Sequence, residues 1–154
     1  MKITVIGLGQ MGGSMALTLH GAGFDVTGSD VFEAARQRLA EQGLATASPE
    51  SLPASDVYLL SLPTSDHVRE VIERSPGLLE LAPRGSVIVD TSTSDPVVSR
   101  ELAAKVIGAG LDWLDAPVSG GPKGAANGQL GMLLGGDMAT IERLMPMLEA
   151  MSAR

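Results

Sequence analysis

Gly7, Gly9 and Gly12, with Leu8, Gln10 and Met11 between them, stand in the spacing G-x-G-x-x-G. Those residue types at that spacing suit the cradling of a phosphate by backbone. The first glycine allows a tight turn, the second lets the chain approach a pyrophosphate with no Cβ in the way, and the third lets a helix lie close against a strand. Amides at the start of that helix have no carbonyl ahead of them and face the anion. Glycine turns are common, so context decides. Met1 to Ile6 form an apolar strand pattern that feeds the turn, and Ala16, Leu17 and Leu19 give the following segment helical periodicity. Gly21 and Gly23 stop that helix, and Phe24 to Ser29 read as a second strand ending at Asp30.

Asp30 lies 23 residues after Gly7, close to the roughly 20-residue offset at which an acidic side chain accepts hydrogen bonds from adenosine ribose hydroxyls. This favours NAD. A 2′-phosphate placed there meets a carboxylate, whereas NADP sites usually supply arginine, and Arg36 and Arg38 fall inside the next helix. A second role for Asp30 is to cap the helix beginning near Val31. The two roles can coexist.

Three further segments end in residues able to hold a ligand, and in an open parallel sheet ligands gather at such carboxyl ends. Ser61 to His67 carries Leu62 and Pro63, then Thr64 or Ser65 as a helix cap. Asp90 to Pro96 holds a dense set of hydroxyls, Thr91 to Ser94, suited to a helix cap or to sugar hydroxyls. Asp115 to Gly121 ends in Ser119, Gly120 and Gly121, which either present backbone amides to a small anion or form a flexible loop.

The elements that must position these residues alternate strand and helix along the chain, the signature of a parallel sheet covered on both faces. The pattern predicts an α/β, doubly wound, mostly parallel sheet forming one dinucleotide-binding domain over residues 1–154. After the first two strands come a helix near Phe32 to Glu41, a short strand Leu44 to Ala47 and a strand Asp56 to Leu62. A helix Ser65 to Arg74 precedes a Pro/Gly-punctuated patch and the strand Ser86 to Asp90. A helix Pro96 to Gly108 leads to the strand Leu111 to Asp115, Gly/Pro-rich sequence runs from Ala116 to Gly128, and a strand Leu130 to Leu134 precedes a helix Met138 to Met151. That helix carries an apolar stripe of Ile141, Leu144, Met145, Leu148 and Met151, which either closes the domain or seeks a partner. The second possibility predicts a homo-oligomer.

Composition narrows the function classes. With 18 acidic and 11 basic side chains the net charge is −7, and without a Lys/Arg cluster this argues against nucleic-acid and membrane partners. Cysteine is absent, which removes disulfides, thiolate nucleophiles and cysteine metal sites; no metal site is expected. No secretory signal or membrane-length apolar run is visible, so a soluble, cytoplasmic protein is expected.

Four separated strings together resemble the β-hydroxyacid dehydrogenase family, which includes 3-hydroxyisobutyrate dehydrogenase, tartronate semialdehyde reductase and threonate dehydrogenase. They are Gly7 to Ala16, Leu62 to Ser65, Asp90 to Pro96, and Asp115 to Ala125, the last being the most specific. Their order and spacing fit the family's N-terminal Rossmann domain over essentially the whole chain. The phosphogluconate dehydrogenases are relatives, but the last string looks less like theirs.

The resemblance implies that Gly7 to Gly12 bind the pyrophosphate of NAD and that Leu62 and Pro63 line the path from adenosine to nicotinamide. It implies that Thr93 contacts the nicotinamide half, and that Ser119, Gly120 and Gly121 hold the carboxylate of a small β-hydroxy acid or its semialdehyde. His67 falls where several members carry asparagine. The family's acid/base lysine and its all-helical second domain would lie beyond Arg154, so no catalytic residue is assigned and this polypeptide alone is expected to be inactive. The alternative is a stand-alone, non-catalytic NAD-binding or interaction module.

Overall fold

Alternating residues of each central strand feed two different cores, which is why the strands read as continuous apolar runs. The computed structural model describes residues 1–153. Its elements run β1 (Lys2–Ile6), α1 (Gln10–Gly21), β2 (Asp25–Ser29), α2 (Glu33–Ala40), β3 (Ala45–Ala47), β4 (Val57–Leu60), α3 (Ser65–Glu73), α4 (Leu78–Leu81) and β5 (Val87–Asp90). They continue through α5 (Pro96–Gly108), β6 (Asp112–Asp115), β7 (Val118–Ser119), α6 (Gly121–Ala126), β8 (Gly131–Met132), β9 (Gly135–Gly136) and α7 (Met138–Met151).

The main sheet has the order β3-β2-β1-β4-β5-β6-β9, parallel throughout except where β9 runs antiparallel to β6. This is the doubly wound α/β architecture expected. Val57 and Leu59 of β4 pack with Met15, Leu19 and Leu144 on one face, while Tyr58 and Leu60 pack with Val68, Ile72 and Leu102 on the other. Burying one such side chain contributes about 1.5–3 kcal/mol. The strand order reverses direction between β1 and β4, so the loops above their carboxyl ends part and open a crevice.

The carboxyl-terminal third departs from the expectation in detail. The segment Leu130 to Leu134 is not one strand. Gly131 and Met132 pair with β7, whereas Gly135 and Gly136 cross to the edge of the main sheet against β6. At Gly136 an added Cβ would stand 3.0 Å from the Trp113 carbonyl oxygen, an approach that glycine permits. The Gly/Pro-rich stretch before it is ordered into β7 and α6, and the Thr18 hydroxyl of α1 donates to the Ala125 carbonyl at 2.7 Å. The patch after α3 contains α4, whose Leu78 is buried.

The final helix settles the fate of its stripe. Leu144, Leu148 and Met151 are buried in the first core with Ile141 packed beside them, so α7 closes this domain rather than offering an open apolar face. Met145 alone of the stripe remains exposed. No described helix is long and apolar enough to cross a membrane.

Candidate functional site

Above β1 the chain turns through Gly7, whose φ of 97° is left-handed and favours glycine. Gly7 N–H donates to the Ser29 carbonyl at 2.9 Å, which ties the turn to the end of β2. A Cβ on Gly7 would lie 2.1 Å from the Ser61 carbonyl oxygen, and one on Gly12 would lie 1.8 Å from that of Gly7. Both positions are closed by backbone. Gly9 differs, because a Cβ there meets nothing within 4 Å and points into open space. Gly9 is the N-cap of α1 and no side chain caps the helix, so the first-turn amides face the same space.

That space is a cleft of about 900 Å³, lined by the whole turn from Gly7 to Gly12 and by Asp30, Leu62, Pro63 and His67. The Asp30 carboxylate bridges its two walls, accepting from Leu8 N–H at 2.7 Å and from Phe32 N–H at 2.8 Å. Since α2 begins at Glu33 with Phe32 as its N-cap, Asp30 shapes the approach to the helix instead of capping it. Each of its oxygens keeps a second lone pair for a ligand hydroxyl.

The two arginines are not removed from the strand end by lying in α2. Arg36 Nη1 donates to the Asp30 carbonyl at 2.6 Å and Arg38 Nη2 to the Leu8 carbonyl at 2.5 Å, and Arg38 lines the cleft. Their long stems reach back over the first helical turn. Neither forms an ion pair among the described residues. Val31 and Phe32, 69% and 71% exposed, also line the cleft; composition alone did not single them out. Arg38 could have been found from its spacing, because it shares a helix face with Ala35, another lining residue.

His67 is tied to the cap of α3, with Nδ1 2.7 Å from the Thr64 hydroxyl. Thr93 is exposed on the loop after β5 and lies outside the lining of the cleft. Of the third segment Gly121 and Pro122 line the cleft, whereas Ser119 and Gly120 stand exposed beside it. A Cβ on Gly131 would come within 2.7 Å of the Ser119 hydroxyl, which places that hydroxyl against β8.

At the carboxyl ends of β5 and β6, Asp90 and Asp115 are register partners. Burial pushes the Asp90 carboxyl above its ordinary value, and hydrogen bonds from Ser92 and Ser94 pull it part of the way back. Asp115 is also raised, first by burial and then by the charge of Asp90. Among the described residues no group of three or more His, Cys, Asp or Glu could hold a metal ion.

Residues 2–154 match the family described as the NAD binding domain of 6-phosphogluconate dehydrogenase. The chain belongs to this family. The NAD-binding domain is 37% identical over 152 residues to an NAD-dependent L-serine dehydrogenase of Pseudomonas aeruginosa, covering 97% of this chain and 51% of that protein. It is 35% identical to 2-hydroxy-3-oxopropionate reductase of Escherichia coli over 97% of this chain and 51% of the relative. Among solved structures, the 3-hydroxyisobutyrate dehydrogenase of Mycobacterium tuberculosis with L-serine superposes with a TM-score of 0.90 at 38% identity, over 98% of this chain and 52% of that one. The chain thus spans about half the length of the relatives it matches, and the portion shared is the NAD-binding domain.

The residues present fit the cofactor. Gly9 leaves a cradle that a Cβ would fill, and two buried side-chain atoms among the cleft-lining residues, Ser29 Oγ and Arg74 Nε, lack a partner.

Proposed function

We propose that the cleft binds NAD with its pyrophosphate on the turn Gly7 to Gly12, its adenosine ribose on Asp30, and its nicotinamide half beyond Leu62 and Pro63 towards Thr93. The observation that carries this reading is the contrast at the glycines. Gly7 and Gly12 are closed by backbone, while Gly9 opens on the cleft, which is what a diphosphate approaching the chain requires. Negative charge is welcome there because the first-turn amides of α1 and its dipole point at it.

The domain then serves a dehydrogenase that acts on a short β-hydroxy acid or its semialdehyde. When bound, the nicotinamide supplies the hydride acceptor or donor. This chain's own residues bind and orient. Ser119, Gly120 and Gly121, at the mouth of the cleft, are assigned to the substrate carboxylate.

None of the three lysines is assigned to the proton on the substrate oxygen. Lys105 is engaged with Glu73, Lys2 stands in the first strand, and Lys123 is exposed on α6. On this reading the polypeptide alone binds NAD without turnover. The buried stripe of α7 gives no support to self-association.

Calorimetry of NAD binding to the wild type and to Gly9→Val tests the reading. The branched side chain has room in the protein but occupies the pyrophosphate cradle, so binding should be lost while circular dichroism stays native. Retained binding by the folded variant would place the cofactor elsewhere.

A further inference from the structure

The Asp90 carboxylate is fully buried and pairs with no cation among the described residues. Its register partner on the next strand is another acid, Asp115. Burying a charge in such surroundings is costly unless it is satisfied by hydrogen bonds. It has two. Oδ1 accepts from Ser92 N–H at 2.9 Å and Oδ2 from the Ser94 hydroxyl at 2.7 Å, so one side chain grips the following loop on both sides of Thr93.

The grip extends across the strand ends. Ser92, oriented by Asp90, accepts from Leu62 N–H at 3.0 Å through its own hydroxyl. The Thr91 hydroxyl donates to the Leu60 carbonyl at 2.7 Å, and Asp95 N–H donates to the Ser65 hydroxyl at 2.8 Å. The loop after β5 is thereby stitched to the loop after β4, and the stitched residue, Leu62, is a wall of the cleft. Asp30 marks the adenosine side over β2, so the β4 and β5 ends lie on the nicotinamide side.

We propose that Asp90 is a positioning residue for the nicotinamide half of the cofactor, fixing Thr93 and the Leu62 wall through Ser92 and Ser94. It touches no ligand itself. The proposal rests on the cofactor reading above and adds to it a division of labour. Asp30 and the glycine turn hold the adenosine diphosphate portion, and the Asp90 network sets the other half.

The test compares NAD with ADP, which carries the adenosine half alone, by calorimetry on the wild type, Asp90→Asn, Ser94→Ala and Ser92→Ala. The wild type should bind NAD more tightly than ADP. Because Ser94→Ala and Ser92→Ala each remove a side-chain hydrogen bond of the network, and Asp90→Asn replaces the charged acceptor of the Ser94 hydroxyl with an N–H donor, NAD affinity should fall by about 3- to 10-fold, while ADP affinity changes less than about 2-fold.

The NAD-to-ADP ratio is the readout that a merely structural role leaves unmoved. Equal losses for both ligands, or an unchanged ratio, would overturn the proposal, as would a wild type that binds the two equally. Should Asp90→Asn fail to fold, the two serine variants carry the same comparison with the buried carboxylate intact. A wild type that binds neither ligand would refute the underlying cofactor reading instead.

Discussion

Replacing Asp30 with alanine should shift the preference between the two cofactors from NAD towards NADP. On the proposed reading the carboxylate lies where a 2′-phosphate would sit, and two like charges about 4 Å apart repel by ~1 kcal/mol in water and ~4 kcal/mol at an effective dielectric of 20. The site is at the lip of a cleft, so the cost lies between these limits, on the order of 10- to 100-fold in NADP affinity. For NAD the same substitution removes charge-assisted hydrogen bonds to the ribose, each worth about 1.5–3 kcal/mol.

The two guanidiniums decide how far the balance moves. Arg36 and Arg38 rest on the carbonyl oxygens of Asp30 and Leu8 without an acidic partner, and once the carboxylate is gone both can turn to a phosphate. The ratio of the two dissociation constants, measured by calorimetry, should therefore shift towards NADP by about 100-fold or more. Adding Arg38→Ala to the variant should return part of that gain. An unchanged ratio in Asp30→Ala, with native circular dichroism, would refute the reasoning and remove Asp30 from the ribose.

Two further outcomes follow from the strand ends and from the proposed lack of turnover. The Asp115 carboxylate has no hydrogen-bond partner among the described residues, and its folded-state pKa, like that of Asp90, is raised. The folded state therefore binds protons more tightly than the unfolded one, and stability falls as pH rises through the folded values. Asp115→Asn should stabilise the protein at neutral pH by about 0.2–1 kcal/mol, as expected for relief of facing like charges. The gain should vanish as pH drops through the carboxylate range in urea titrations; a gain independent of pH would contradict the assignment. The 154-residue polypeptide should also show negligible NADH formation with 3-hydroxyisobutyrate, glycerate or threonate, because a positioned acid/base contributes about 10²- to 10⁴-fold. Turnover abolished by Lys123→Ala would instead make that exposed lysine catalytic.

Much of the site could be read from local sequence because its parts are local. The turn between β1 and α1 needs glycine at defined offsets, and Asp30 directly follows the last residue of β2. What escaped depended on side-chain reach and on long-range pairing. Arg36 and Arg38 were placed by their backbone positions in a helix, yet their guanidiniums act several ångströms away on the strand end. The glycine-rich stretch near residues 131–136 offered no alternation to show that two short strands pair with different partners. The Asp90 network was legible only as a run of hydroxyls, since its direction is fixed by burial between β4 and β6.

Amide chemical-shift mapping of the isotope-labelled chain during an NAD titration tests the central claim most directly. The account predicts the largest perturbations at Leu8 to Gly12, Asp30 to Phe32, and Leu62, with saturation at one equivalent. No saturable shifts, or shifts confined to residues remote from this cleft, would contradict it.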